Sequence, residues 1–228
     1  MNHILRKRLE FQGYHLLAFV FLGALQYVAI VNIPLGSGSV WGHSSGEWVA
    51  LAWIFAGIFQ AWVAFFWRME LYGRWITNKF GNPGFLLHQV GYGVLGLIRF
   101  ALLIPICIST KNTLPVSPLV SITIIVVTTP PILWALYSAA VHFGFTRAAG
   151  ADHFIPHYRE GGFEKKGLYK YVPNVMYTIA LFGLYHAGLF WFSTLGLVVA
   201  ASHHVFVWVH YFCTERPDIR EIYGDRKR

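Results

Sequence analysis

The chain has 228 residues, a formal net charge of +8, and 56% hydrophobic against 12% charged residues. A soluble domain carries about 25% charged residues spread over its surface. Here the charges fall in clumps between long uncharged runs, which excludes an ordinary soluble globular domain. The basic excess lies in short segments beside those runs, so it reports membrane topology and anionic headgroups and gives no reason to expect nucleic acid.

A bilayer-spanning helix needs about 20 mostly apolar residues. Six runs qualify: Leu16 to Ile33, Trp48 to Trp67, Leu86 to Ile108, Leu119 to Phe143, Met176 to Phe192 and Thr194 to Phe212. The basic start ahead of the first run lacks a small-residue cleavage site, so this run reads as a retained span. The third contains Gly91-Tyr92-Gly93-Val94-Leu95-Gly96, which fits GxGxxG, but no strand precedes it and close helix packing is the better reading. It also contains Arg99, an intramembrane charge that marks either a function or a structural pairing. In the fourth, Pro130-Pro131 follows Thr128-Thr129, where freed carbonyls either line a cavity or kink the helix. Only Ser193 and its neighbours separate the last two runs, which predicts a helical hairpin. Cys107 falls near the outer end of the third span and Cys213 at the inner end of the sixth, so they cannot form a disulfide.

Of the 18 Lys and Arg, all but Arg99 and Lys111 lie in the termini, in the segment between spans two and three (where Arg68 is counted), or in the segment between spans four and five. Cytoplasmic loops hold the basic excess. Both termini are therefore expected in the cytoplasm, with the protein in a bacterial inner membrane or the endoplasmic reticulum. The predicted fold is an all-α integral membrane protein of about six transmembrane helices, with a C-terminal hairpin and a long cytoplasmic loop.

Histidine invites a different reading. His153 and His157 have HxxxH spacing, and His203, His204 and His210 share the last span. Imidazole suits iron, so an iron or haem membrane enzyme is an alternative. The several boxes of such enzymes, HxxHH among them, are absent, and no metal ligands are assigned.

The informative segment is the loop from Gly144 to Val175 with the C-terminal tail. It contains Gly167-Leu168-Tyr169, then Pro173-Asn174-Val175-Met176-Tyr177, then the hairpin, then Glu215-Arg216-Pro217 and Glu221-Ile222-Tyr223. In this order of parts the chain resembles the membrane methyltransferase superfamily that includes phosphatidylethanolamine N-methyltransferases and isoprenylcysteine carboxyl methyltransferases. Their G-x-Y segment, R-H/N-P-x-Y element, hairpin and Glu-Glu pair occur in the same sequence. Pro173 stands where the family has arginine, Val175 where it has proline, and Arg216 where it has a second glutamate. Asn174, Met176 and Tyr177 resemble the phospholipid enzymes' N-P-M-Y. Tyr211 occupies the position where the isoprenylcysteine enzymes are expected to have a substrate-binding arginine, which favours the phospholipid reading.

The resemblance implies S-adenosylmethionine as cofactor, a lipid or lipid-like acceptor, and one membrane domain in which residues 1–84 are a two-span extension of a four-span core, 85–228. Such a cofactor needs an anion, amide donors and aromatic faces. Gly161, Gly162, Phe163, Tyr169, Asn174, Tyr177 and Glu215 are its candidate binding residues. An amine acceptor must lose a proton, for which Asp152, His153, His157 and Glu164 are candidate bases. Arg147, Arg159 and Arg216 are candidates to hold an acceptor carboxylate or lipid phosphate. Phosphatidylethanolamine or a methylated derivative is the first expected acceptor, and isoprenylcysteine or another small amphiphile the second.

Overall fold

Backbone N–H and C=O groups find no water inside a bilayer, so long apolar runs fold as helices that satisfy them internally. The computed structural model describes residues 3–32, 38–160, 162 and 164–224. Its long helices are α1 (His3–Asn32), α2 (Ser45–Leu71), α3 (Pro83–Ser109), α4 (Pro118–Phe143), α5 (Val175–Phe190) and α6 (Thr194–Tyr223). The all-α membrane class expected from composition is borne out. Five of the helices are long and apolar enough to cross a bilayer, where six full spans were expected; α5 is shorter. It opens on one turn at Val175–Thr178, tightens over Ala180–Phe182 and is a regular α-helix only over Gly183–Phe190.

Local chemistry sets the helix ends. A two-residue turn, Trp41-Gly42, has both φ angles positive and joins Ser39–Val40 to His43–Ser44. Ser44 then caps α2 in a reciprocal box with Glu47. At its other end α2 runs past the expected boundary, and Arg68 and Glu70 are buried within it at 2% and 1% exposure. Arg68 therefore does not lie in a connecting segment. Both find partners: the Glu70 carboxylate accepts from the Thr77 amide at 2.9 Å and hydroxyl at 2.6 Å, and Arg68 pairs with Asp218.

Pro130 and Pro131 lie inside α4 without breaking it. The Thr128 and Thr129 hydroxyls donate to the Ile124 and Ile125 carbonyls at 2.6 and 2.7 Å. The helix ends in a widened π-turn at Ala139–Phe143. A second π-turn, Tyr211–Glu215, lies inside α6, which continues to Tyr223, so Glu215 belongs to the helix and not to a free tail.

From α5 the chain turns at Trp191–Ser193, where the Ser193 hydroxyl accepts from the Gly196 amide at 2.9 Å. It returns alongside, with His204 Nε2 2.7 Å from the Tyr177 carbonyl oxygen. The central core joins Val49 and Ala52 of α2, Leu103 and Ile106 of α3, and Leu195 and Val199 of α6. A second cluster around Val63, Phe66, Trp67, Ile76 and Phe154 packs the short helix Ala151–Phe154 against α2. These contacts fix the loop after α4 relative to the helices that carry the site.

Candidate functional site

Where the loop passes between the ends of α4 and α6, the structure encloses a cavity of about 420 Å³. Glu164, Tyr169, Asn174, Tyr177 and Glu215 line it, so five residues expected from sequence converge in one place. Phe143, Lys165, Lys170, Tyr171 and Met176 complete much of the wall. Phe143 sits in the π-turn of α4, where a changed helical register turns its ring to stack on Tyr169 at 5.4 Å. No spacing rule in the sequence pointed to it.

The start of α5 depends on Asn174, which adopts a left-handed conformation with φ 52°. Its carbonyl oxygen accepts from the amides of Tyr177 and Thr178 at 2.8 and 2.9 Å, which closes the first turn. Val175, where the resembled family has proline, is the first residue of that turn. Its N–H would have no intrahelical partner in any case, so valine there keeps the geometry that proline pre-sets. Its side chain is fully buried against Ala135 and Leu168. The helix then aims the Tyr177 hydroxyl at Glu215, donating to Oε2 at 2.7 Å. Burial, and then the Glu164 and Glu215 carboxylates, push the Tyr169 phenol well above its ordinary range, so it stays neutral.

Gly167, the first residue of the G-x-Y segment, has φ +57° and lies against α4. A Cβ there would fall 2.7 Å from Ser138 Oγ, the same atom that accepts from the Leu168 amide. Gly167→Ala is expected to cost at least about 1–2 kcal/mol from left-handed strain alone. Thermal unfolding of the two proteins in matched micelles checks this, and an unchanged midpoint would refute it.

Other expected residues lie elsewhere. Gly161 and Phe163 fall outside the described residues. The Gly162 carbonyl accepts from the Arg147 guanidinium, which also approaches Asp152 at 3.3 Å and the Tyr223 hydroxyl at 3.1 Å. Arg159 donates to the backbone carbonyls of Asp152 at 2.7 Å and His153 at 2.9 Å, closing the end of their helix. Arg216 is exposed and lies over the Phe212 ring. His157 is exposed beside Glu160, whereas His153 is buried, stacked on Trp67 at 4.4 Å and 3.3 Å from Asp218. The HxxxH pair thus points in two directions, and among the described residues no group of three or more His, Cys, Asp or Glu could hold a metal ion.

A second cavity, of about 700 Å³, lies between α2, α3, α4, α5 and α6. Its wall is mainly apolar, and its rim includes the exposed side chains Leu97, Leu136 and Phe145. Gly91 of the glycine motif packs closely on Trp62, as expected, but Gly93 and Gly96 line this cavity and leave it open. Met176 and Tyr177 line both cavities. A chamber with four charged residues in its wall and a larger, mainly apolar one thus share a wall that ends in the Tyr177–Glu215 hydrogen bond.

Residues 119–226, which span α4 to the end of α6, match the phospholipid methyltransferase family. The resemblance read from the loop and tail is borne out over this segment. Among curated proteins and solved structures, none matches the chain.

Proposed function

We propose, on the premise that residues 119–226 form a phospholipid methyltransferase segment, that the protein transfers a methyl group from S-adenosylmethionine to a membrane-embedded acceptor. The amine of phosphatidylethanolamine or of its methylated derivatives is the acceptor this premise favours. The observation that carries the reading is the wall of Met176 and Tyr177 common to the two cavities.

When bound, S-adenosylmethionine supplies an electrophilic methyl group on a sulfonium. The residues around the smaller cavity fit such a molecule. Glu215 and the Tyr177 ring offer a negative charge and a π-face to its cations. Lys165 and Lys170 suit its carboxylate, and Phe143, Tyr169 and Tyr171 offer faces for adenine. The larger cavity keeps the acceptor dry and limits its approach to one direction, which is where much of the rate enhancement of a displacement at carbon arises. Glu164 lines the cofactor cavity and is the best-placed of the four candidate bases to receive an amine proton. Asp152 and His153, tied to Arg147 and Asp218, hold the loop in place.

Calorimetric titration of S-adenosylhomocysteine into the detergent-purified protein, with Tyr177→Ala beside it, tests the reading. Saturable binding by the wild type and its loss in the variant are expected. A well-folded wild type that takes up no ligand would overturn the assignment.

A further inference from the structure

Two arginines are buried almost completely among the helices, and they are partnered differently. Arg68 faces a carboxylate, with its Nε 2.8 Å from Asp218 Oδ1. Arg99, in α3 and 0% exposed, faces none: among the described residues no carboxylate lies within ion-pair distance of it. Its Nε donates to His203 Nδ1 at 3.3 Å and one Nη donates to the His203 carbonyl at 3.0 Å. The Phe59 and Phe100 rings lie 5.6 Å from its guanidinium carbon. The other nitrogen, Nη1, is buried without a protein partner. All of these neighbours are neutral or π-faces, so the positive charge stays uncompensated where charge is most expensive.

Arg99 lines the larger cavity, and it is not the only unsatisfied group there. Gln60, 2% exposed, keeps a buried Oε1 without a partner, and His210, 4% exposed, keeps both ring nitrogens so. Three polar side chains from α2, α3 and α6 thus line a chamber whose wall is otherwise mainly apolar. An arginine kept only for structure would be expected to be matched internally, as Arg68 is.

We propose that Arg99 is the anion-binding residue of the acceptor site: it takes an oxyanion of the acceptor, a phospholipid phosphate or a prenylcysteine-type carboxylate, inside the cavity between α2, α3, α4, α5 and α6. The assignment rests on the methyltransferase reading for the identity of the ligand as acceptor, but not for the anion site itself. Arg99 lies outside the segment that matches the family, so this anchor is supplied by the N-terminal part of the chain. It accounts for a buried charge in α3 without a carboxylate partner among the described residues. It also restricts acceptors to amphiphiles with an oxyanion within the cavity's length of the group to be methylated, or with the carboxylate itself as that group.

The test measures binding and does not require turnover. Short-chain phosphatidyl-N-methylethanolamine and N-acetyl-S-farnesylcysteine are titrated into the purified full chain, each beside a counterpart that lacks the oxyanion, a diacylglycerol of equal chain length and N-acetyl-S-farnesylcysteine methyl ester. The wild type is expected to prefer one oxyanion-bearing member over its counterpart by about tenfold or more, the size of one charge-assisted contact. Whichever pair shows the preference identifies phosphate or carboxylate as the anion. Arg99→Gln is expected to erase that preference, Arg99→Lys to restore part of it, and both to keep the wild-type affinity for S-adenosylhomocysteine. Equal affinity of the wild type for both members of each pair overturns the proposal without any variant, as does a preference that survives in Arg99→Gln. Anion preference without S-adenosylhomocysteine binding would instead retain the anion site and remove the methyltransferase reading.

Discussion

Replacing Arg68 with alanine is expected to cost about 3–5 kcal/mol, because it leaves the Asp218 carboxylate buried and unpaired. Asp218 is 0% exposed. Its other close neighbours are His153 Nε2 at 3.3 Å and the Tyr72 hydroxyl, which donates to it at 3.3 Å. The arginine also donates to the carbonyls of Cys213 at 3.1 Å and Thr214 at 3.2 Å, and to that of Lys7 at 2.6 Å. Cys213 and Thr214 belong to the π-turn that ends at Glu215, and Gln12 of α1 donates to the same Cys213 carbonyl at 3.2 Å. The first two helices therefore hold the turn that carries the site's carboxylate. Chemical unfolding in micelles should show the loss. The double variant Arg68→Met/Asp218→Leu should recover much of it, since an apolar pair leaves no unmatched charge. A single variant as stable as the wild type would mean that the pair contributes nothing and that the turn is held by other contacts.

Glu215→Gln is expected to weaken S-adenosylhomocysteine binding by about ten- to a hundredfold, the worth of hydrogen bonds made to a charged group. Glutamine keeps the shape and can still accept from the Tyr177 hydroxyl, so the change isolates the charge from the packing. Tyr177→Phe is the complement: it keeps the charge and removes the donor, and the smaller loss is expected from it. Calorimetry on the three proteins gives both numbers. If Glu215→Gln bound as tightly as the wild type, the carboxylate would not face the ligand's ammonium, and the cofactor reading of the cavity would lose its main electrostatic support.

The two halves of the site differ in how visible they were in the chain. Asn174, Tyr177 and Glu215 were found through a short motif and its distance from the hairpin, because their roles depend on local turns: a left-handed residue, one helical turn, a helix end. Asp218 carries no such mark. Its partners Arg68 and His153 lie 150 and 65 residues away, and a charge near a predicted helix end reads as a solvated loop residue until the neighbouring helix is seen beside it. His153, a candidate base by sequence, has its ring stacked on Trp67 and facing Asp218, which spacing along the chain does not encode. The expected boundary of α2 fell short of Arg68 and Glu70 because hydropathy stops at charges, while a helix continues wherever they are paired.

Sequence alone determined the class of this protein and the order of its helices, since an apolar run of some 20 residues has one way to satisfy its backbone in lipid. It also located the loop that lines the smaller cavity, through residues whose spacing is local. Tertiary structure decided what lies across from what. It shortened α5, placed π-turns at Phe143 and Glu215, joined two cavities at Tyr177, and gave Arg68 a carboxylate while leaving Arg99 with neutral partners. The cost of a buried charge depends on what stands opposite it in space, which hydropathy and spacing along the chain do not encode.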